Sequence, residues 1–154
     1  MLERGIASIL HRDTIAVIVG SKTFERGEAC FAARRVLEVQ VSAGELRGSV
    51  KPQEMGRANY KCRIWLREEG VAYECTCPMG IKLMFCKHAV AIALAHLDQE
   101  RADAEKGLTI LREALSTITQ PQLVDGLLQL ARRDHDLATD LKRLALDALS
   151  RRDS

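Results

Sequence analysis

The sequence predicts an α+β fold, with a small antiparallel β-meander in the front half and helices behind it. Three observations predict it. Two stretches, Val36 to Val50 and Tyr60 to Cys75, alternate apolar and polar residues around short turns. From Cys86 onward the apolar spacing becomes that of helices, punctuated by capping residues. Where the two patterns meet, three of the five cysteines and a histidine fall between residues 75 and 88.

Taken in order, TIAVIV at 14–19 is apolar and β-branched, and reads as a strand or as the end of a short helix starting near Ser8. Arg26-Gly27 reads as a tight turn. It either aims the arginine at a phosphate or lets it brace the loop, with the glycine at positive φ. In VLEVQVSAGELRGSV, Val36, Val39 and Val41 lead into Ala43-Gly44, and Leu46, Gly48 and Val50 return, as in a hairpin. KPQEMGRAN, 51–59, is a loop. Cys62, Ile64 and Leu66 then alternate with outward Lys61, Arg63, Trp65 and Arg67. Glu69-Gly70 turns the chain, and Val71, Tyr73 and Cys75 face one way.

The helix after Cys86 has no breaker before Gly107, and its first half is apolar nearly all round, so it should be covered on more than one side. Leu108, Leu111, Leu115 and Ile118 keep helical spacing. Thr119 with Gln122 forms a capping box with Pro121 in the first turn, and Asp134 caps a last helix. The stripe Leu123, Leu127, Leu130, Leu137, Leu141 and Leu144 reads as core, with some surplus for a partner helix. The expected division is 1–106, with a compact core at 73–97, and a helical region at 107–154.

Composition sets the broad class. Of 154 residues, 47% are hydrophobic, enough to bury a core, but only 4% are aromatic, so Leu, Val, Ile and Ala must fill it. The start has no apolar run of signal-peptide length and no segment is long enough to span a bilayer, which predicts a cytoplasmic protein with reduced thiols. Residues 1–90 carry 14 Lys or Arg against 10 acids, and residues 91–154 carry 9 against 11. The front is mildly basic, which permits a phosphate partner without demanding one.

Cys75, Cys77, Cys86 and His88 have the chemistry of a closed zinc site, which takes four Cys or His ligands in a tetrahedron. Cys75 and Cys77 share one face if both lie at a strand end before Pro78. Cys86 and His88 converge only if Cys86 precedes the helix and His88 sits in its first turn, because i and i+2 lie about 200° apart within a helix. A helix N-terminus would favour the negative charge of a tris-thiolate zinc, with Lys82 and Lys87 near it. A Cys75–Cys77 disulfide would close a strained small ring. Four strong ligands leave no open position, and HExxH is absent, so the zinc is expected to be structural and the chain not to be an enzyme. Its place would be to clamp meander to helix. Cys30 and Cys62 read as core or surface bystanders, and His96, eight residues beyond His88, is too distant to join the metal.

CTCP followed by CKHAVAIALA resembles the SWIM zinc finger, a Cys-x-Cys…Cys-x-His family found in bacterial proteins, helicase-like ATPases, transposases and plant transcription factors. The resemblance implies zinc on Cys75, Cys77, Cys86 and His88, and an interaction with DNA or protein rather than an activity. Ser21, Arg26, Gly27 and Val36 are similar to a stretch preceding the hairpins of bacterial members. There an aromatic stands at the place of Cys30 and a glycine at that of Arg34.

The expected function is therefore a non-enzymatic zinc module that contacts nucleic acid, DNA above all. The candidate contact residues are Arg26, Arg35, Lys61, Arg63, Trp65, Arg67, Lys82 and Lys87, with the exposed basic strand Lys61–Arg67 and its tryptophan as the centre. The same strand also reads as a solvated face with edge-protecting charges. The rival function is a protein adaptor whose helical tail docks a larger enzyme. No membrane and no small-molecule substrate are expected.

Overall fold

The computed structural model describes residue 6, residues 10–82 and residues 85–151. The chain forms two compact units, Met1–Asp103 and Ala104–Ser154. No helix among the described residues is long and apolar enough to cross a membrane.

The first unit opens with two helices, α1 (Arg12–Val19) and α2 (Ser21–Ala32). TIAVIV is thus helical, not a strand. Ile15 alone is buried while Val17 is exposed, the one-sided burial of a surface helix. The helix begins at Arg12, and the expected start near Ser8 falls outside the described residues. Arg26-Gly27 is not a turn either. Gly27 lies inside α2, and a Cβ there would sit 2.3 Å from Val90 Cγ1. The glycine permits close approach of two helices and needs no special φ. The left-handed residue comes later, at Arg34 (φ 51), where the chain leaves α2.

Four antiparallel strands follow in the order β1-β2-β3-β4. They are β1 (Val36–Ser42), β2 (Glu45–Val50), β3 (Tyr60–Arg67) and β4 (Gly70–Cys75). Ala43 and Gly44 both have positive φ, 51 and 76, as the two-residue turns that match strand twist require. The second hairpin turns one residue earlier than expected. Glu68 and Glu69 form it, and Gly70 is already paired with Arg67.

A short helix, α3 (Pro78–Ile81), leads to α4 (Lys87–Ser116). Every residue of α4 from His88 to Leu94 is buried, as expected of a helix covered on more than one side. Gly27 of α2 meets Val90, and a Cβ on Gly48 of β2 would press within 2.9 Å of Ile92 Cδ1. Leu46, Val50 and Ile64 of the sheet join Val90 and Ile92 in the core, each burial contributing about 1.5–3 kcal/mol. Gly107 does not end the helix. Nothing lies near it, and a single glycine costs an exposed helix only about 1 kcal/mol.

In the second unit, α5 (Gln120–Ala131) and α6 (His135–Ser150) follow the last turns of α4. Gln122 accepts from the Thr119 backbone N–H at 3.1 Å, and Asp134 accepts from the N–H groups of Asp136 and Leu137, both at 3.0 Å. Both caps are those expected from sequence. The leucine stripe is not a closed core. Leu123, Leu127, Leu137 and Leu141 are half-buried, Leu130 and Leu144 are exposed, and neither helix has a buried residue. Helical spacing shows that leucines share a face but not whether anything covers it.

Candidate metal centre

The ladder between β3 and β4 positions the first donor. Cys75 is the last residue of β4, and Thr76 still donates its backbone N–H to Lys61 O at 3.0 Å. Cys77 is therefore beyond the strand, a small departure from the expected shared strand face. It is extended (φ −77, ψ 161) and caps α3, its Sγ accepting from the Gly80 N–H at 3.3 Å. The turn folds back so tightly that a Cβ on Gly80 would lie 2.2 Å from Cys75 O. Gly80 is thus part of the site, and the sequence pattern had not singled it out.

The other two donors come from the start of α4. Cys86 precedes the helix and its carbonyl accepts from Val90 N–H at 3.3 Å, while His88 is the second helical residue, the arrangement that convergence demanded. Tyr60 lies against the His88 ring at 4.6 Å between centroids, and Tyr73 against Phe85 at 4.2 Å.

Cys75, Cys77, Cys86 and His88 are all buried, and their donor atoms lie within 4.8 Å of one another, so the four could hold a metal ion. Cys75 Sγ and His88 Nδ1 are 4.0 Å apart, which turns the Nδ1 edge of the imidazole toward the sulfurs. The donors come from the sheet end, the α3 cap and the α4 start, so an ion here would join three elements.

A fifth cysteine belongs to this neighbourhood. Cys62 is the ladder partner of Cys75, is buried, and its Sγ is 3.0 Å from Cys75 Sγ. It is no bystander. Counting outward from the hairpin turn would have placed it, since 67 pairs with 70 and therefore 62 with 75. Hydrogen bonds from the Cys62 and Cys75 thiols hold the Cys86 thiol far below its ordinary range, helped by His88 and the Ala89 N–H. The Cys62 thiol is pushed far up, because its hydrogen bonds to Cys75 and Cys86 and its burial all keep the proton. Cys30 is buried in α2, and burial raises its thiol too. His96 is also buried, with Nε2 3.4 Å from Glu100, and is not a member of the cluster.

The eight candidate nucleic-acid residues do not form one surface. Arg35 is half-buried and donates to Pro52 O at 3.0 Å, tying the α2–β1 link to the loop after β2. Arg63 sits between Glu74 (3.1 Å) and Glu45 (3.6 Å), and its guanidinium lies 4.5 Å from the Trp65 ring centre. Arg67 covers the same ring at 5.2 Å. Lys61 is exposed on that face and Lys82 is exposed just after α3. The register sets Arg47, Arg63 and Glu74 side by side, so the outer sheet face is a mixed-charge network and not a free basic strand. Arg26 and Lys87 stand elsewhere. With Arg57 they line a pocket whose wall includes Cys77, Cys86 and His88. Lys87 Nζ donates to Gln53 at 2.9 Å, and Arg57 pairs with Glu54 at 2.6 Å.

Fold and site together define an α+β chain with a buried Cys3His cluster that could bind a metal. Comparison with protein-family models, with curated proteins and with solved structures found no match.

Proposed function

We propose that the chain is a non-enzymatic zinc module of the SWIM type that contacts nucleic acid. The observation that carries the reading is the buried donor set. Four donors bound to one zinc at about 2.0–2.3 Å stand roughly 3.8 Å apart, and here none is more than 4.8 Å from another. Three thiolates and an imidazole suit zinc, and with all four in place no position is left for a reacting water. When bound, the ion supplies cohesion between the β4 end and the start of α4. The likeness to SWIM rests on Cys75, Cys77, Pro78, Cys86 and His88 themselves. A cytoplasmic setting, where thiols stay reduced, suits such a site.

For the nucleic acid, Arg26 and Lys87 beside the cluster are the better contact group, because carboxylates already occupy Arg63 on the outer sheet face and Glu54 occupies Arg57. Zinc content by native mass spectrometry, followed by titration with a single-stranded oligonucleotide at several salt concentrations, tests both halves. Binding should weaken steeply with salt, and Arg26→Ala with Lys87→Ala should reduce the logarithmic slope by about 0.7 for each phosphate no longer neutralised. Absence of any retained DNA or RNA at low salt refutes this partner.

The exposed leucines favour a second reading, a protein adaptor. Leu128, Leu130, Leu144 and Leu146 are more than half exposed on α5 and α6. Capture of one protein partner that survives high salt, and is abolished by Leu128→Asp and Leu144→Asp, would support it.

A further inference from the structure

Cys62 has no place in a four-ligand set, yet its thiol touches two members of it, Cys75 and Cys86. The contact follows from the backbone. Residues 67 and 70 flank a two-residue turn, and the bond from Thr76 N–H to Lys61 O marks another close hydrogen-bonded pair. Alternation between these makes 62 and 75 a non-hydrogen-bonded pair. Cα atoms of such pairs stand about 4.5 Å apart, inside the roughly 4.4–6.8 Å that disulfides span. Both side chains point to the core face, and the sulfurs are already 3.0 Å apart.

We propose that Cys62 and Cys75 form an oxidisable cross-strand dithiol, whose oxidation by a small peroxide joins the two sulfurs and withdraws Cys75 from the metal-ligand set. One sulfur displaces hydroxide from the peroxide O–O bond and becomes a sulfenic acid. The other then displaces hydroxide from that sulfur, forming the S–S bond. Two thiols lose two electrons and two protons, and the peroxide leaves as two waters. A disulfide sulfur is neutral and carries no thiolate lone-pair charge for the ion, so Cys77, Cys86 and His88 remain as an incomplete set. Cys75 is the natural partner because the ladder fixes it against Cys62. Cys77 Sγ faces the Gly80 N–H instead, and Cys86, although hydrogen-bonded to Cys62, lies outside the sheet, where no ladder sets its backbone at disulfide spacing. Cys62 and Cys75 are 4% and 3% exposed, which selects a small oxidant.

Metal release rests on the zinc reading, whereas the disulfide does not. The full-length protein, purified in reductant and freed of it, is treated with hydrogen peroxide. Intact mass, disulfide mapping and zinc appearing in a metallochromic dye are followed together. The wild type should become two hydrogens lighter, show a Cys62–Cys75 link, and release zinc in step with it. Cys62→Ser should take up zinc in reductant as the wild type does and keep it through the same peroxide treatment. A link between any other pair, or zinc released equally fast from Cys62→Ser, overturns the proposal. Failure of both Cys62→Ser and Cys62→Ala to take up zinc in reductant makes Cys62 a ligand and also overturns it. A wild type without zinc refutes the metal reading alone, and the disulfide map still decides the pair.

Discussion

At the residue scale, Gly80 and Gly27 show what kind of neighbour makes a glycine necessary. A Cβ on Gly80 meets the backbone oxygen of Cys75, which cannot yield without moving a metal donor. A Cβ on Gly27 would lie 2.3 Å from Val90 Cγ1 and 2.4 Å from Val90 Cβ, which no side-chain rotation clears, so α2 and α4 would have to move apart. Gly80→Ala and Gly27→Ala should therefore each cost about 3 kcal/mol by urea denaturation of the metal-loaded protein. Gly80→Ala should also weaken metal retention against a chelator, which Gly27→Ala should not. A cost below about 1 kcal/mol at either position would mean that the contact there is softer than its geometry. Arg34 gives the opposite case. It is exposed, and its φ of 51 is strained for a residue with a Cβ. Arg34→Gly should raise stability by about 0.5–1 kcal/mol, the relieved strain being partly offset by a freer unfolded chain.

At the scale of elements, the caps were written plainly in the chain. Thr119, Gln122 and Asp134 occupy the places their chemistry dictates, because a cap depends only on residues within one turn. Asp134→Ala should cost about 1 kcal/mol, seen as a lower midpoint for melting of α5–α6 helical signal, with metal binding untouched. The hairpins were legible for the same local reason, apart from a one-residue slip in the second turn. Glycine was the less reliable marker there. Gly70 follows the turn with a φ of 128, and Glu68-Glu69 make it. The strand Lys61–Arg67 was legible as alternating, but alternation carries no information about what stands across the ladder. Glu74 and Glu45 came from neighbouring strands and engaged Arg63 at its centre.

At the scale of the whole molecule, metal removal should act on one unit and spare the other. The donors join β4, α3 and α4, so a chelator should expose the amides of Tyr73–Cys77 and of the first turns of α4 to hydrogen exchange. Amides of α5 and α6 should exchange as before, since no donor lies in the Ala104–Ser154 unit. Uniform loss of protection across both units would show that they unfold together.

By itself the sequence determined the four-strand meander and the helices after Cys86, the caps, and the four residues of the Cys3His cluster. Each of these is encoded in spacings of a few residues, where backbone geometry leaves little choice. Only the tertiary structure decided that Cys62 stands against Cys75, that Gly27 and Gly80 are spaces and not hinges, that Arg63 and Arg35 are already engaged, and that the leucines of α5 and α6 stay open. Those outcomes depend on which distant side chain arrives at a given place, and register and packing across elements, not local periodicity, settle that.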